Sequence, residues 1–68
     1  MTSTVRNHFP GTIKEIIRGD AVAEVDVETP AGIVSAVVTI RTVDENNLKV
    51  GDRIVASVKA MDVFLERP

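Results

Sequence analysis

The chain has no cysteine, no tryptophan and no tyrosine, and only two phenylalanines. Without cysteine there are no disulfides, no thiolate metal sites and no thiol nucleophile. A single histidine, His8, cannot build a zinc site alone, and no set of side chains suited to ligating a metal cation directly is visible. Few aromatics leave little to stack nucleic-acid bases on. A formal net charge of −2 lacks the basic excess of a general nucleic-acid binder. No apolar run approaches the ~18 residues of a membrane span, and nothing behind Met1-Thr2-Ser3-Thr4-Val5-Arg6 reads as a signal peptide. The expected location is therefore the cytoplasm.

What is present is one small domain, residues 1–68, with 44% hydrophobic residues, enough for a packed core. A domain of this size buries only about 60% of the surface exposed by its unfolded chain. Small folds usually add a staple, and with disulfides and metals excluded the remaining one is oligomerisation. Phe9 and Val63 are candidates for the subunit contact on hydrophobicity.

The hydrophobic pattern predicts β-strands. Thr12, Ile13, Ile16 and Ile17 mark a first strand over residues 11–17, with Pro10-Gly11 at an edge or bend. Arg18-Gly19-Asp20 is a turn signal. Ala23, Val25 and Val27 alternate with Glu24, Asp26 and Glu28, the period of a strand with one apolar and one acidic face. Pro30-Ala31-Gly32 closes it. A third strand over 33–40 contains Ala36-Val37-Val38, apolar on both sides, so both faces are expected to be covered. Thr42-Val43-Asp44-Glu45 fits a capping box, with acids in the first turn of a short helix over 43–48. Strands four, 53–59, and five, 62–66, follow. The expected fold class is all-β: a five-stranded OB-like barrel with one short helix between strands three and four.

Catalysis has no visible basis. No Ser-His-Asp signature appears, His8 is the only ordinary neutral-pH base, and the four glycines are isolated turn residues rather than a phosphate loop. The acids of strand two read as a solvated face. An OB-type barrel could instead bind oligonucleotides or act as a protein-interaction module. The first of these requires aromatics that strands two and three lack.

What remains is a set of hydrogen-bond donors: Thr4, Arg6 and Asn7 near the start, Thr39 and Thr42 around the predicted helix start, and Lys59-Ala60 after strand four. A tetrahedral oxyanion accepts hydrogen bonds and donates none, so its site needs hydroxyls, backbone N–H groups and cations. These residues also have plain readings: Thr42 as a helix cap, Arg6 and Lys59 as exposed charges, His8 as an ordinary surface or interface histidine.

The order of short motifs adds context. Thr4-Val5-Arg6-Asn7-His8-Phe9-Pro10-Gly11-Thr12 opens the chain, and Ala23-Glu24-Val25 and Val38-Thr39-x-x-Thr42-Val43 occupy the middle. Leu48-Lys49-Val50-Gly51-Asp52 and Val58-Lys59-Ala60-Met61-Asp62-Val63 follow. Together they resemble the molbindins, or Mop proteins, and the related TOBE domains, over nearly the whole length. The resemblance implies a protein that is not an enzyme, has no cofactor and binds molybdate or tungstate for storage or homeostasis. It further implies a hexamer, a trimer of dimers, with oxyanion sites between subunits. Carried over by position, one kind of site takes Thr4, Arg6, Thr39, Thr42, Lys59 and Ala60. A second kind is assigned to Asn7 and His8; if His8 lines it, affinity rises as the imidazole protonates on acidification. Thr4 and Thr42 stand where the family has Ser, His8 where it has Gln, and Met61 where a hydroxyl residue is common.

Overall fold

In the computed structural model the described residues are 6–68. Four strands form one antiparallel sheet in the order β3-β2-β1-β4: β1 is Asn7–Arg18, β2 Val22–Thr29, β3 Gly32–Thr39 and β4 Arg53–Val58. A helix α1, Ile40–Glu45, joins β3 to β4, and a 3-10 turn, Ala60–Asp62, follows β4.

The long strand β1 serves two partners. Its first half pairs with β4, from Asn7↔Val58 to Thr12↔Arg53, and its second half with β2, from Thr12↔Glu28 to Arg18↔Ala23. Pro10 lies where β1 pairs with β4 alone, so its missing N–H has an open side of the strand to face. The register with β2 shifts between Ile13 and Glu15, a bulge at Lys14. A bulge bends a strand and increases its twist, which curls the sheet around the core. At the point where β1 changes partner, Gly11 is buried, and a side chain there would run into the backbone carbonyl of Glu28.

The alternation read in strand two holds: Ala23, Val25 and Val27 are buried, and Glu24, Asp26 and Glu28 lie on the outer face. With Ile13 and Val43 they form the core, flanked by half-buried Ile16, Val38, Ile40, Leu48, Ile54 and Ala56. Full burial of one such aliphatic side chain is worth about 1.5–3 kcal/mol. The β2–β3 hairpin closes through Thr29: its hydroxyl donates to the Gly32 carbonyl at 2.7 Å and accepts the Ala31 N–H at 3.1 Å. Gly32 there has φ 112°, a backbone conformation open to glycine.

The starts of the first strand, at Asn7 and not at residue 11, and of the helix, and the cover of strand three, differ from the sequence expectation. The helix begins three residues earlier than the capping box suggested, and its cap is Thr39, whose hydroxyl accepts the Thr42 N–H at 3.1 Å. Tertiary anchoring fixes that start: the Ile40 N–H donates to the Ala21 carbonyl at 3.0 Å, and Val43 must reach the core. Asp44 and Glu45 therefore fall at the end of the helix and not in its first turn. Strand three has only one covered face in the single chain, with Val37 69% and Ile33 48% exposed. Among the described residues, 63–68 join no strand, so the sheet has four strands and leaves β3 and β4 as its two edges.

Candidate oxyanion site

The register of β1 sorts the sequence-predicted donors into two groups. Asn7 pairs with Val58, which sets Arg6, just before β1, beside Lys59, just after β4. The Asn7 side-chain amide donates to the Val58 carbonyl at 3.2 Å and locks this end of the ladder. His8 lies opposite Ser57, with Nδ1 3.3 Å from the hydroxyl. Lys59 precedes the 3-10 turn, and Ala60 is its first residue. The fold thus gathers Arg6, Asn7, His8, Lys59 and Ala60 at one end. Arg6 and Lys59 are exposed, and among the described residues neither has a carboxylate within ion-pair distance. Two uncompensated cations on adjacent strand ends make a local positive field on an acidic chain.

The second group sits at the junction of β3 and α1. The hydroxyls of Thr39 and Thr42 lie 2.8 Å apart, and both are near the surface. Here the neighbouring cations are already engaged: Arg41 pairs with Glu45 at 2.8 Å and Arg18 with Asp44 at 3.1 Å. The threonine pair thus offers hydroxyl donors in a spot where local charge is balanced.

These groups do not meet within one chain. Thr39 pairs with Val22, whose carbonyl accepts the Gly19 N–H, so the threonines flank the far end of β1. Arg6 and Lys59 flank its beginning, and 12 residues of strand lie between. Thr4, the remaining predicted donor, lies outside the described residues.

Two features were not anticipated. A broad open cleft of about 700 Å³ is lined by Thr12, Lys14, Glu28 and Arg53 beside the β2–β3 turn. No sequence-predicted donor lines it, and Lys14 there is 3.8 Å from Glu28. The acids of β2 also interact: Glu24 has its carboxyl raised above the ordinary value, first by a hydrogen bond with Asp26, then by the charge of Asp26, desolvation and the charge of Glu15. Among the described residues, no group of acids and histidine is arranged to hold a metal ion, and no helix is long and apolar enough to cross a membrane.

A sequence model of the TOBE domain matches residues 3–65. The chain belongs to the TOBE domain family. Among solved structures, this TOBE domain is similar to a molybdate-binding protein from Sporomusa ovata, with 30% identity, a TM-score of 0.92, and 98% of this chain and all of that one covered. It is also similar to MopII from Clostridium pasteurianum, with 27% identity, a TM-score of 0.89, and 97% and 100% coverage. No curated protein sequence matches it. The molbindin resemblance read from the motifs thus extends to the fold of the whole TOBE domain.

Proposed function

We propose that this TOBE domain binds molybdate, and tungstate as its chemical analogue, at sites shared between copies of the chain. The observation that carries the ligand is the end-to-end likeness to the Sporomusa ovata molybdate-binding protein, with 30% identity and a TM-score of 0.92. The donor set suits the ligand. Arg6 and Lys59 supply cations to balance a dianion, while Thr39, Thr42 and the N–H of Ala60 supply directed donors. Thr4 belongs to the same proposed set. A buried dianion is costly unless such groups replace its water. Asn7 and His8 are proposed for a second kind of site.

The separation of the two donor groups along β1 supports a site in which one copy gives Arg6, Lys59 and Ala60 and another gives Thr39 and Thr42. The assembly we propose is a homo-oligomer, a hexamer built as a trimer of dimers. Its role is storage or homeostasis of the oxyanion in the cytoplasm, without catalysis. Selection over sulfate rests on pocket size, since sulfate has the same shape and charge but shorter bonds. Ligand and assembly should stabilise each other, because a ligand that binds only the assembled form shifts the equilibrium toward it.

The test is isothermal calorimetry with molybdate, repeated with tungstate and in excess sulfate, on protein of known mass in solution. Tight binding of molybdate that sulfate does not displace supports the reading. Absence of heat together with absence of binding by equilibrium dialysis refutes it.

A further inference from the structure

The broad cleft beside the β2–β3 turn, about 700 Å³, has the size of a small-molecule site and shares no residue with the proposed oxyanion donors. The strand register builds its floor. Thr12 pairs with Arg53 of β4 on one side and with Glu28 of β2 on the other, and Glu28 pairs with Ile33 of β3. These four residues form one row across the sheet. Lys14 is the bulged residue of β1, and bulges often re-aim a side chain beside a binding site. Pro10 and Pro30 border the row, and Pro30 and Ile33 are exposed apolar surface.

The charges in the cleft are unevenly matched. Lys14 lies 3.8 Å from Glu28, so those two largely cancel. Among the described residues Arg53 has no carboxylate within ion-pair distance, and two strand spacings set its backbone ~10 Å from that of Glu28. Its Nη1 instead reaches the Thr12 hydroxyl at 3.5 Å. Accepting from Arg53 leaves the hydroxyl proton of Thr12 available to a second acceptor. The cleft thus offers one unmatched guanidinium, whose fork fits a carboxylate through two parallel hydrogen bonds, and one hydroxyl beside it. A single unmatched positive charge suits a monoanion, whereas a dianion would set its second charge against Glu28. The apolar rim of Pro30 and Ile33 gives an attached hydrocarbon body a surface to cover. Pro10 and Pro30 carry no N–H, so the rim is poor in the backbone donors that an extended peptide needs.

We propose that this cleft binds a small organic acid, its carboxylate held by Arg53 and the Thr12 hydroxyl and its apolar body lying against Pro30 and Ile33. The ligand differs in class from the oxyanion, which has no apolar part, and it sits elsewhere on the sheet. Arg6 and Lys59 flank the start of β1 and the Thr39–Thr42 pair its far end, whereas the cleft lies where β1 changes partner. Occupation of the cleft therefore leaves every proposed oxyanion donor in place, and the protein can hold both ligands at once.

The experiment titrates the isotopically labelled full chain with sodium benzoate and follows the backbone amide signals by NMR. Acetate, neutral benzamide and an apolar dipeptide are run beside it. The expected result is saturable movement of the Thr12, Lys14, Ile33 and Arg53 signals, with benzamide inert and acetate about fivefold weaker for want of an apolar body. Arg53→Gln is expected to weaken benzoate about tenfold, the usual worth of a hydrogen bond to a charged group. Ile33→Ser should bring benzoate down to the level of acetate. If either variant does not fold, the other and the wild-type signals still decide. No saturable movement, movement centred on Arg6 and Lys59, equal binding of benzamide, tighter binding of the dipeptide, or full affinity in Arg53→Gln would each overturn the proposal. Prior addition of molybdate is expected to leave the benzoate shifts unchanged, and competition between the two would remove the separate site. A chain that takes benzoate in this way but no molybdate would keep the cleft and lose the oxyanion reading.

Discussion

Thr39 is asked to do two things, and one substitution separates them. Its hydroxyl accepts the Thr42 N–H as the cap of α1, and it is one of the proposed oxyanion donors. Thr39→Ala removes both and is expected to cost about 1 kcal/mol, the usual penalty for losing a cap. In a domain of this size that lowers Tm by about 4–8 °C. Thr39 is exposed, so no core packing is lost with it. Thr39→Asp keeps a good cap acceptor and adds a charge that the helix dipole favours, so its Tm should stay within a few degrees of wild type. The same carboxylate stands against a bound dianion. At about 5 Å, even with the dielectric of water, the repulsion is ~1.7 kcal/mol, roughly a 20-fold loss of affinity, and it grows as water is excluded. Thermal unfolding followed by circular dichroism reads the first effect and calorimetry with molybdate the second. Wild-type affinity in Thr39→Asp would remove Thr39 from the site. A Tm as low as that of Thr39→Ala would remove it as the cap.

Lys59→Ala and Arg6→Ala are each expected to weaken molybdate binding at least tenfold with little change in Tm, because both side chains are exposed and lack ion-pair partners among the described residues. Unchanged affinity by calorimetry in either variant would strike that residue from the site. Gly11→Ala should destabilise by about 1–3 kcal/mol or more, as expected of overpacking against backbone that cannot turn aside. That is a large part of the roughly 3–10 kcal/mol available to so short a chain, and an unchanged urea midpoint would mean that β1 and β2 do not approach so closely there. The pH dependence of Glu24 has a definite sign. Its folded carboxyl holds a proton more tightly than the ordinary value of 4.5, so its contribution to stability is fully present below that value and is lost as pH rises through the raised one. Glu24→Gln should therefore raise Tm at neutral pH and bring no gain in acid; an equal gain at both would show that charge is not the cause.

How much of this could be read in advance differs from element to element, and the physics of each explains why. The alternation of β2 is a local pattern with one buried face, so Ala23, Val25 and Val27 announce their own positions. The helix start was misplaced because two threonines three residues apart both have the chemistry of a cap. What chose Thr39 was the bond from Ile40 to Ala21, a contact between segments that no local pattern contains. Strand one was read from residue 11 because Pro10 looked like a boundary. Proline is tolerated four residues into β1 because that stretch pairs with β4 alone. This misreading had a consequence for function. The candidate donors could be named from the sequence, since an oxyanion demands hydroxyls and cations, and the family resemblance points to the same residues. Their division into two groups could not, because it depends on the full length of β1 and on which strand meets each of its halves.

That division links the economy of the fold to the ligand. A chain of 68 residues without cysteine closes only part of its sheet, leaving an apolar groove, two free edges and an apolar tail. The same chain holds Arg6 and Lys59 at one end of β1 and the paired hydroxyls of Thr39 and Thr42 at the other. In the assembly proposed above, a second copy would meet both needs, the first through burial of apolar surface and the second through donors that one chain does not bring together. The two act at different strengths under different conditions. Burial persists at high salt, whereas attraction between Arg6, Lys59 and a dianion weakens as ions screen it until the site is dry. Raising the salt concentration should therefore slow capture of molybdate well before it dissociates the assembly, and stopped-flow binding beside light scattering over the same salt series measures both. Loss of mass at the salt concentration where capture begins to slow would mean that charge, and not the apolar surface, holds the copies together.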